Sequence, residues 1–91
     1  MKKIKFKELK EIIKNFQEKN VMLKINGLIR TNINIKKANV DIIKNKFIIR
    51  INQEMNISVD INWVANFYTN DDNTIVKLEF DQLGEVELAI K

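Results

Sequence analysis

The sequence predicts an α+β fold: an N-terminal amphipathic helix followed by a six-strand antiparallel meander, rolled into a strongly curved sheet or a small closed barrel. Three observations carry this. Apolar residues at Phe6, Leu9, Ile12, Ile13 and Phe16 recur at helical spacing. Beyond Val21 the period drops to two, most plainly from Met55 to Tyr68, where Met55, Ile57, Val59, Ile61, Trp63, Ala65 and Phe67 share one parity. Between these runs stand polar clusters of Asn, Asp, Lys and Gly, the residues of turns. Ninety-one residues set the expectation of one domain, 1–91, with a single modest core.

The helix is expected over residues 6–19, with Asn20 as a left-handed C-terminal cap and no good N-cap ahead of it. Lys2, Lys3, Lys5 and Lys7 crowd the positive end of its dipole, so the first residues are expected to be extended. Residues 21–35 alternate around Val21, Leu23, Ile25, Ile29, Thr31, Ile33 and Ile35, reading as one long strand kinked at Gly27. Val40 and Ile42 give a short strand over 39–44, and Asn45-Lys46 reads as a two-residue hairpin turn into the strand at 47–52. The organising strand at 55–68 is longer than usual, so it is expected to bend and pair with different neighbours along its two halves. Thr69 to Thr74 make a polar hairpin loop. Strands at 74–81 and 85–91 follow, joined by Gln82-Leu83-Gly84 with a left-handed glycine. Closure requires the first half of 21–35 to meet the last strand, and its second half to pair with 39–44.

With no Cys and no His, the chain has neither a disulfide framework, a thiolate site nor an imidazole base. The basic start at Met1–Lys7 is not followed by the apolar run of a signal peptide, and no stretch is long enough to span a bilayer, so a cytoplasmic protein is expected. Ile, Lys and Asn supply 43 of 91 residues; all three have AT-only codons, which makes the Lys count compositional in part. The distribution of charge is more informative. Residues 1–50 carry fourteen Lys/Arg against four Asp/Glu, and residues 51–91 carry two against eight. Oppositely charged halves imply a basic face, an acidic face, or complementary faces in an oligomer.

Two surfaces follow from that asymmetry. Glu79, Asp81, Glu85 and Glu87 on the last hairpin, with Asp71 and Asp72 in the preceding loop, form a candidate partner-binding set; the same charges also guard a sheet edge. Lys7, Lys10, Lys14, Lys36, Lys37, Arg30 and Arg50 form a candidate nucleic-acid set. Against the second stands the shortage of stacking aromatics: Phe47, Trp63, Phe67 and Phe80 have inward parity, Phe6 and Phe16 lie on the helix's apolar stripe, and only Tyr68 is left outside. Arg50 is expected directly opposite Asp41. Met22, Leu28, Ile43, Ile48, Val64, Tyr68 and Ile75 have the opposite parity, offering the helix or a second subunit an apolar patch.

Catalysis and metal binding find little support. Asp71-Asp72-Asn73 lacks the spacing of a calcium loop, and Asn56-Ile57-Ser58 matches a glycosylation sequon without any sign of secretion. No Ser or Thr has an evident base beside it, and no cofactor is implied. The expectation is a non-enzymatic protein that acts by protein–protein interaction, an inhibitor or adaptor such as phage and mobile elements use against host defence systems. The alternative is an RNA-binding small barrel using the basic half. One helix followed by bent antiparallel strands is similar in outline to Sm-type small barrels, a resemblance that implies RNA binding as a ring.

Overall fold

The predicted helix is half its expected length. In the computed structural model, which describes residues 1–81 and 84–91, Lys2–Ile4 is a strand (β1), helix α1 runs Phe6–Ile12, and a 3-10 segment continues it over Ile13–Phe16. Lys5 occupies the N-cap without a capping side chain; its own N–H donates to Glu8 Oε1 at 3.3 Å, the returning half of a capping box. The left-handed residue that ends the helical turn is Glu18 (φ 62), not Asn20. The cause is tertiary. Glu18 N–H donates to the Ala38 carbonyl at 2.9 Å and Ala38 N–H to the Lys19 carbonyl at 2.8 Å, so the backbone must turn by residue 18 to lie beside residue 38. Leu9, Ile12, Ile13 and Phe16 are buried. At about 1.5–3 kcal/mol per buried side chain as an upper bound, this stripe sustains a helix too short to persist alone.

Eight further strands follow among the described residues: β2 (Val21–Asn26), β3 (Arg30–Ile35), β4 (Asn39–Ile43), β5 (Lys46–Arg50), β6 (Asn56–Asp60), β7 (Val64–Thr69), β8 (Ile75–Phe80) and β9 (Gly84–Ile90). They form two antiparallel sheets, a six-stranded one in the order β1-β7-β8-β9-β2-β3 and a three-stranded one in the order β4-β5-β6. Val21, Leu23, Val76, Leu78, Val86 and Leu88 of the first meet Val40, Phe47, Ile49 and Val59 of the second and the helix in one core.

The α+β class and antiparallel pairing thus stand, while the closed barrel and the single meander are replaced by two open sheets. The expected meeting of residues 21–26 with the last strand is present as the β2·β9 pair, but it lies inside the larger sheet rather than closing it. The predicted single strand 21–35 is a hairpin. Asn26 pairs with Arg30 around Gly27-Leu28-Ile29, and β3 becomes an edge instead of pairing with β4. The free side of β4 is occupied differently: Val40 N–H donates to Gln17 Oε1 at 3.1 Å, and Gln17 Nε2 donates to the Val40 carbonyl. One side-chain amide stands in for a neighbouring strand.

The organising stretch 55–68 does pair with β5 through its first half and β8 through its second, but it is two strands in different sheets. Asp60 ends β6 by accepting the Asn62 N–H at 2.9 Å, and Ile61–Trp63 form a 3-10 turn. A bulge at Ala65, between the paired Val64 and Asn66, then brings Phe67 inward. Trp63, expected in the core, is 68% exposed, and Met55 and Ala65 are exposed as well. In the β4–β5 hairpin the loop is Lys44-Asn45, with Lys44 at φ 57, one residue earlier than predicted. Arg50 therefore faces Asn39, and Asp41 sits diagonally from it.

Candidate functional site

The six-stranded sheet turns one face to the core and the other to solvent. On the solvent face, successive pairings align Lys3, Tyr68, Lys77, Glu87, Lys24 and Asn32 in one row across all six strands. Asn66, Glu79, Glu85, Asn26 and Arg30 make the next row. Three of the predicted acidic residues, Glu79, Glu85 and Glu87, do share this face, but none stands alone there. Lys77 Nζ lies 2.6 Å from Glu85, Lys24 Nζ lies 4.0 Å from Glu87, and Glu79 accepts from Asn66 Nδ2 at 3.0 Å and Tyr68 OH at 3.5 Å. The uniform acidic stripe expected from sequence is thus an interleaved ion-pair sheet. Half-exposed pairs of this kind contribute little to stability, about 0.2–1 kcal/mol each, yet they fix side-chain positions across the face.

The other three candidates separate. Asp81 follows β8 at one end of the sheet; Asp71 and Asp72 lie in the β7–β8 loop at the opposite end. That loop is set by its neighbours: Asn70 Oδ1 accepts the Thr74 and Ile75 N–H groups at 2.9 and 3.0 Å, and the buried Thr69 hydroxyl donates to the Ile75 carbonyl at 2.9 Å. Asn73 takes φ 55. Among the described residues no group of three acidic side chains is placed to hold a metal ion.

The end that carries Asp81 is unlike the rest of the surface. Val64 pairs with Phe80 and Phe80 with Gly84, which abuts Asn26 and Gly27, so the start of β7, the end of β8, the start of β9 and the tip of the β2–β3 hairpin lie at one edge. Three large apolar side chains project there into water: Leu28 at 97% exposure, Ile29 at 76% and Trp63 at 68%. Beside them Leu28, Phe80, Lys77, Glu79, Asp81 and Glu85 line an open groove of ≈ 750 Å³. Gly84 has the predicted left-handed backbone, φ 99, while Gln82 and Leu83 of that hairpin lie outside the described residues.

The basic candidates are dispersed. Lys7, Lys10 and Lys14 do line one groove, between the helix and β4, but Glu11 and Asp41 line it too, and Lys14 lies 3.2 Å from Glu11. Arg50 is engaged, its Nη1 3.0 Å from Asn39 Oδ1 and 3.7 Å from Asp41. Lys36 and Lys37 are exposed at the β3–β4 turn, and Arg30 begins the far edge strand. The expected second apolar patch also divides: Met22 and Ile75 flank Ala89 on the solvent face of the large sheet, Ile43 and Ile48 lie on the outer face of the small one, and Val64 packs against the core.

Sequence reasoning missed Trp63 and Ile29 as surface residues, whereas Leu28 was expected on the outward parity and is exposed. Two local signals mark them: Asn26-Gly27, a strong hairpin dipeptide, and Asp60 two residues before Asn62, an Asx turn that interrupts a strand. Among the described residues no helix is long and apolar enough to cross a membrane. No family model, no curated protein and no solved structure matches the chain.

Proposed function

We propose that the chain is a small non-enzymatic protein that acts by binding another protein, through the end of the large sheet where Trp63 and Leu28 project. The observation that carries this reading is the 68% exposure of the chain's one tryptophan at the same end as Leu28 and Ile29. Each apolar side chain left in water forgoes about 1.5–3 kcal/mol that burial would return, and Trp is among the residue types enriched at the energetic centres of protein interfaces. Beside Leu28 the groove carries both signs of charge, Lys77 paired with Glu85 together with Glu79 and Asp81, so a partner would meet a mixed polar rim there.

Cross-linking capture with wild type and with Trp63→Ser tests this. The reading expects a protein retained by wild type and lost with Trp63→Ser, while the circular dichroism of the two chains is the same. Equal capture by both would remove Trp63 from the interface and the reading with it.

A second reading, nucleic-acid binding, draws on Lys7, Lys10 and Lys14 sharing one groove. The acidic side chains within that groove and the engagement of Arg50 weaken it.

A further inference from the structure

The two ends of the large sheet are guarded differently. β1 is three residues long and carries Lys2 and Lys3, the short, charged form of edge that resists further pairing. In the small sheet, β4 is closed off by Gln17. β3 has no such device. It is six residues long, pairs with β2 alone, and contains no Pro, bulge or central charge; its one charge, Arg30, is terminal. Among the described residues no backbone hydrogen bond leaves its far side. Such an edge is a template for another strand.

We infer that the strand added to β3 is β3 of a second copy, antiparallel across a two-fold axis, giving a weak symmetric dimer. The side chains of β3 select the register. Arg30, Asn32 and Asn34 point to the solvent face and Thr31, Ile33 and Ile35 to the core face, as their β2 partners do. Residues directly opposite in a sheet share a face. Two central registers satisfy that. Placing Ile33 on the axis sets Arg30 against Lys36 of the second copy at both ends. Placing Asn32 on the axis sets Arg30 against Asn34 and Thr31 against Ile33, with no like charges opposed. The second register is self-complementary and uses residues of β3 alone. A two-fold pairing of this kind is the commonest closed symmetry. One strand pair buries well under the about 1,200 Å² of stable complexes, so the dimer is a weak one.

The inference goes beyond the partner-binding reading. Trp63 precedes β7, about 19 Å or four strand spacings from β3, and stays uncovered in the dimer. Loss of the dimer and loss of partner capture are therefore separate results.

Sedimentation equilibrium from about 5 to 500 µM, on wild type and two variants, tests the register. Asn32→Glu adds a carboxylate beside Lys24 within the chain but opposes two carboxylates on the axis, and weakens the dimer about 2- to 5-fold. Asn34→Glu faces Arg30 of the second copy twice and tightens it about 2- to 30-fold. The chain has no native Cys, which permits a second measurement. Asn32→Cys, with Cα atoms about 5 Å apart across the axis, forms a disulfide-linked dimer on mild oxidation, and Asn34→Cys, about 13 Å from its counterpart, does not. Opposite responses of the two Glu variants, with cross-linking at 32 alone, support the pairing. A wild type that stays monomeric throughout, or a dimer indifferent to both Glu variants, would overturn it.

Discussion

Gly84→Ala is the most demanding test of how the partner-binding end is held. Gly84 has φ 99, and an added Cβ would lie 1.9 Å from the Asn26 carbonyl oxygen and 2.7 Å from Gly27 Cα. Both neighbours are backbone, so no side chain can rotate away. An ordinary carbon–oxygen contact is about 3.3 Å, so β9 and β2 would have to part by roughly 1.4 Å at this end. The left-handed backbone alone costs an alanine about 1–3 kcal/mol. Parting the strands sacrifices about two terminal ladder hydrogen bonds beside the Asn26–Glu85 pair, at about 0.5–1.5 kcal/mol each. The total is about 2–6 kcal/mol, a large share of the about 5–15 kcal/mol that holds a domain of this class. Urea unfolding followed by far-ultraviolet circular dichroism reads the loss as a lower midpoint at unchanged slope. A cost below about 1 kcal/mol would show that β9 does not approach Asn26 as described, and that the groove beside Leu28 has another shape.

Three further outcomes follow from the same contacts. Trp63→Ser should cost less than about 1 kcal/mol in the same urea assay, because the side chain is mostly in water; the about 3–5 kcal/mol typical of a core aromatic would return Trp63 to the interior. Gln17→Leu keeps the volume but strips the partners from the Val40 N–H and carbonyl, and should cost about 1–3 kcal/mol, a drop of roughly 4–24 °C in Tm by calorimetry. An unchanged melt would mean that water replaces the amide at no cost. Fluorescence anisotropy with random-sequence single-stranded RNA should show no binding below about 100 µM protein at 0.15 M salt. Micromolar binding, with the salt slope reduced by about one unit on each substitution Lys7→Ala, Lys10→Ala or Lys14→Ala, would favour the nucleic-acid reading.

Where the sequence misleads, the reason is parity. The three-residue loop Gly27-Leu28-Ile29 joins strands paired as Asn26 to Arg30, so inward residues on both sides keep odd numbers and a hairpin reads as one strand. Over 55–68 two irregularities cancel in the same way: the 3-10 turn at Ile61–Trp63 shifts the phase and the bulge at Ala65 restores it. Val59 and Phe67 both point inward, and Trp63 between them does not. In the β4–β5 hairpin, moving the loop from Asn45-Lys46 to Lys44-Asn45 shifts the register by two residues, which leaves every face unchanged but changes every cross-strand partner, that of Arg50 included. The helix stripe, the β5–β6, β7–β8 and β8–β9 neighbours and the turn chemistry around Asn70 were legible because each depends on local spacing. The Gln17 seal on β4 was not, since it joins residues 23 apart through a side chain. For the candidate site, parity grouped Glu79, Glu85 and Glu87 on one face; Lys77 of β8 and Lys24 of β2 share that face and interleave with them.

Acrylamide quenching of the single tryptophan, in the isolated chain and again with the captured partner, tests the central claim most directly. The account predicts quenching close to that of free tryptophan in the isolated protein and strong protection in the complex, with the emission shifting to shorter wavelength. Weak quenching of the isolated chain would place Trp63 inside the fold, and unchanged quenching on binding would place the interface elsewhere.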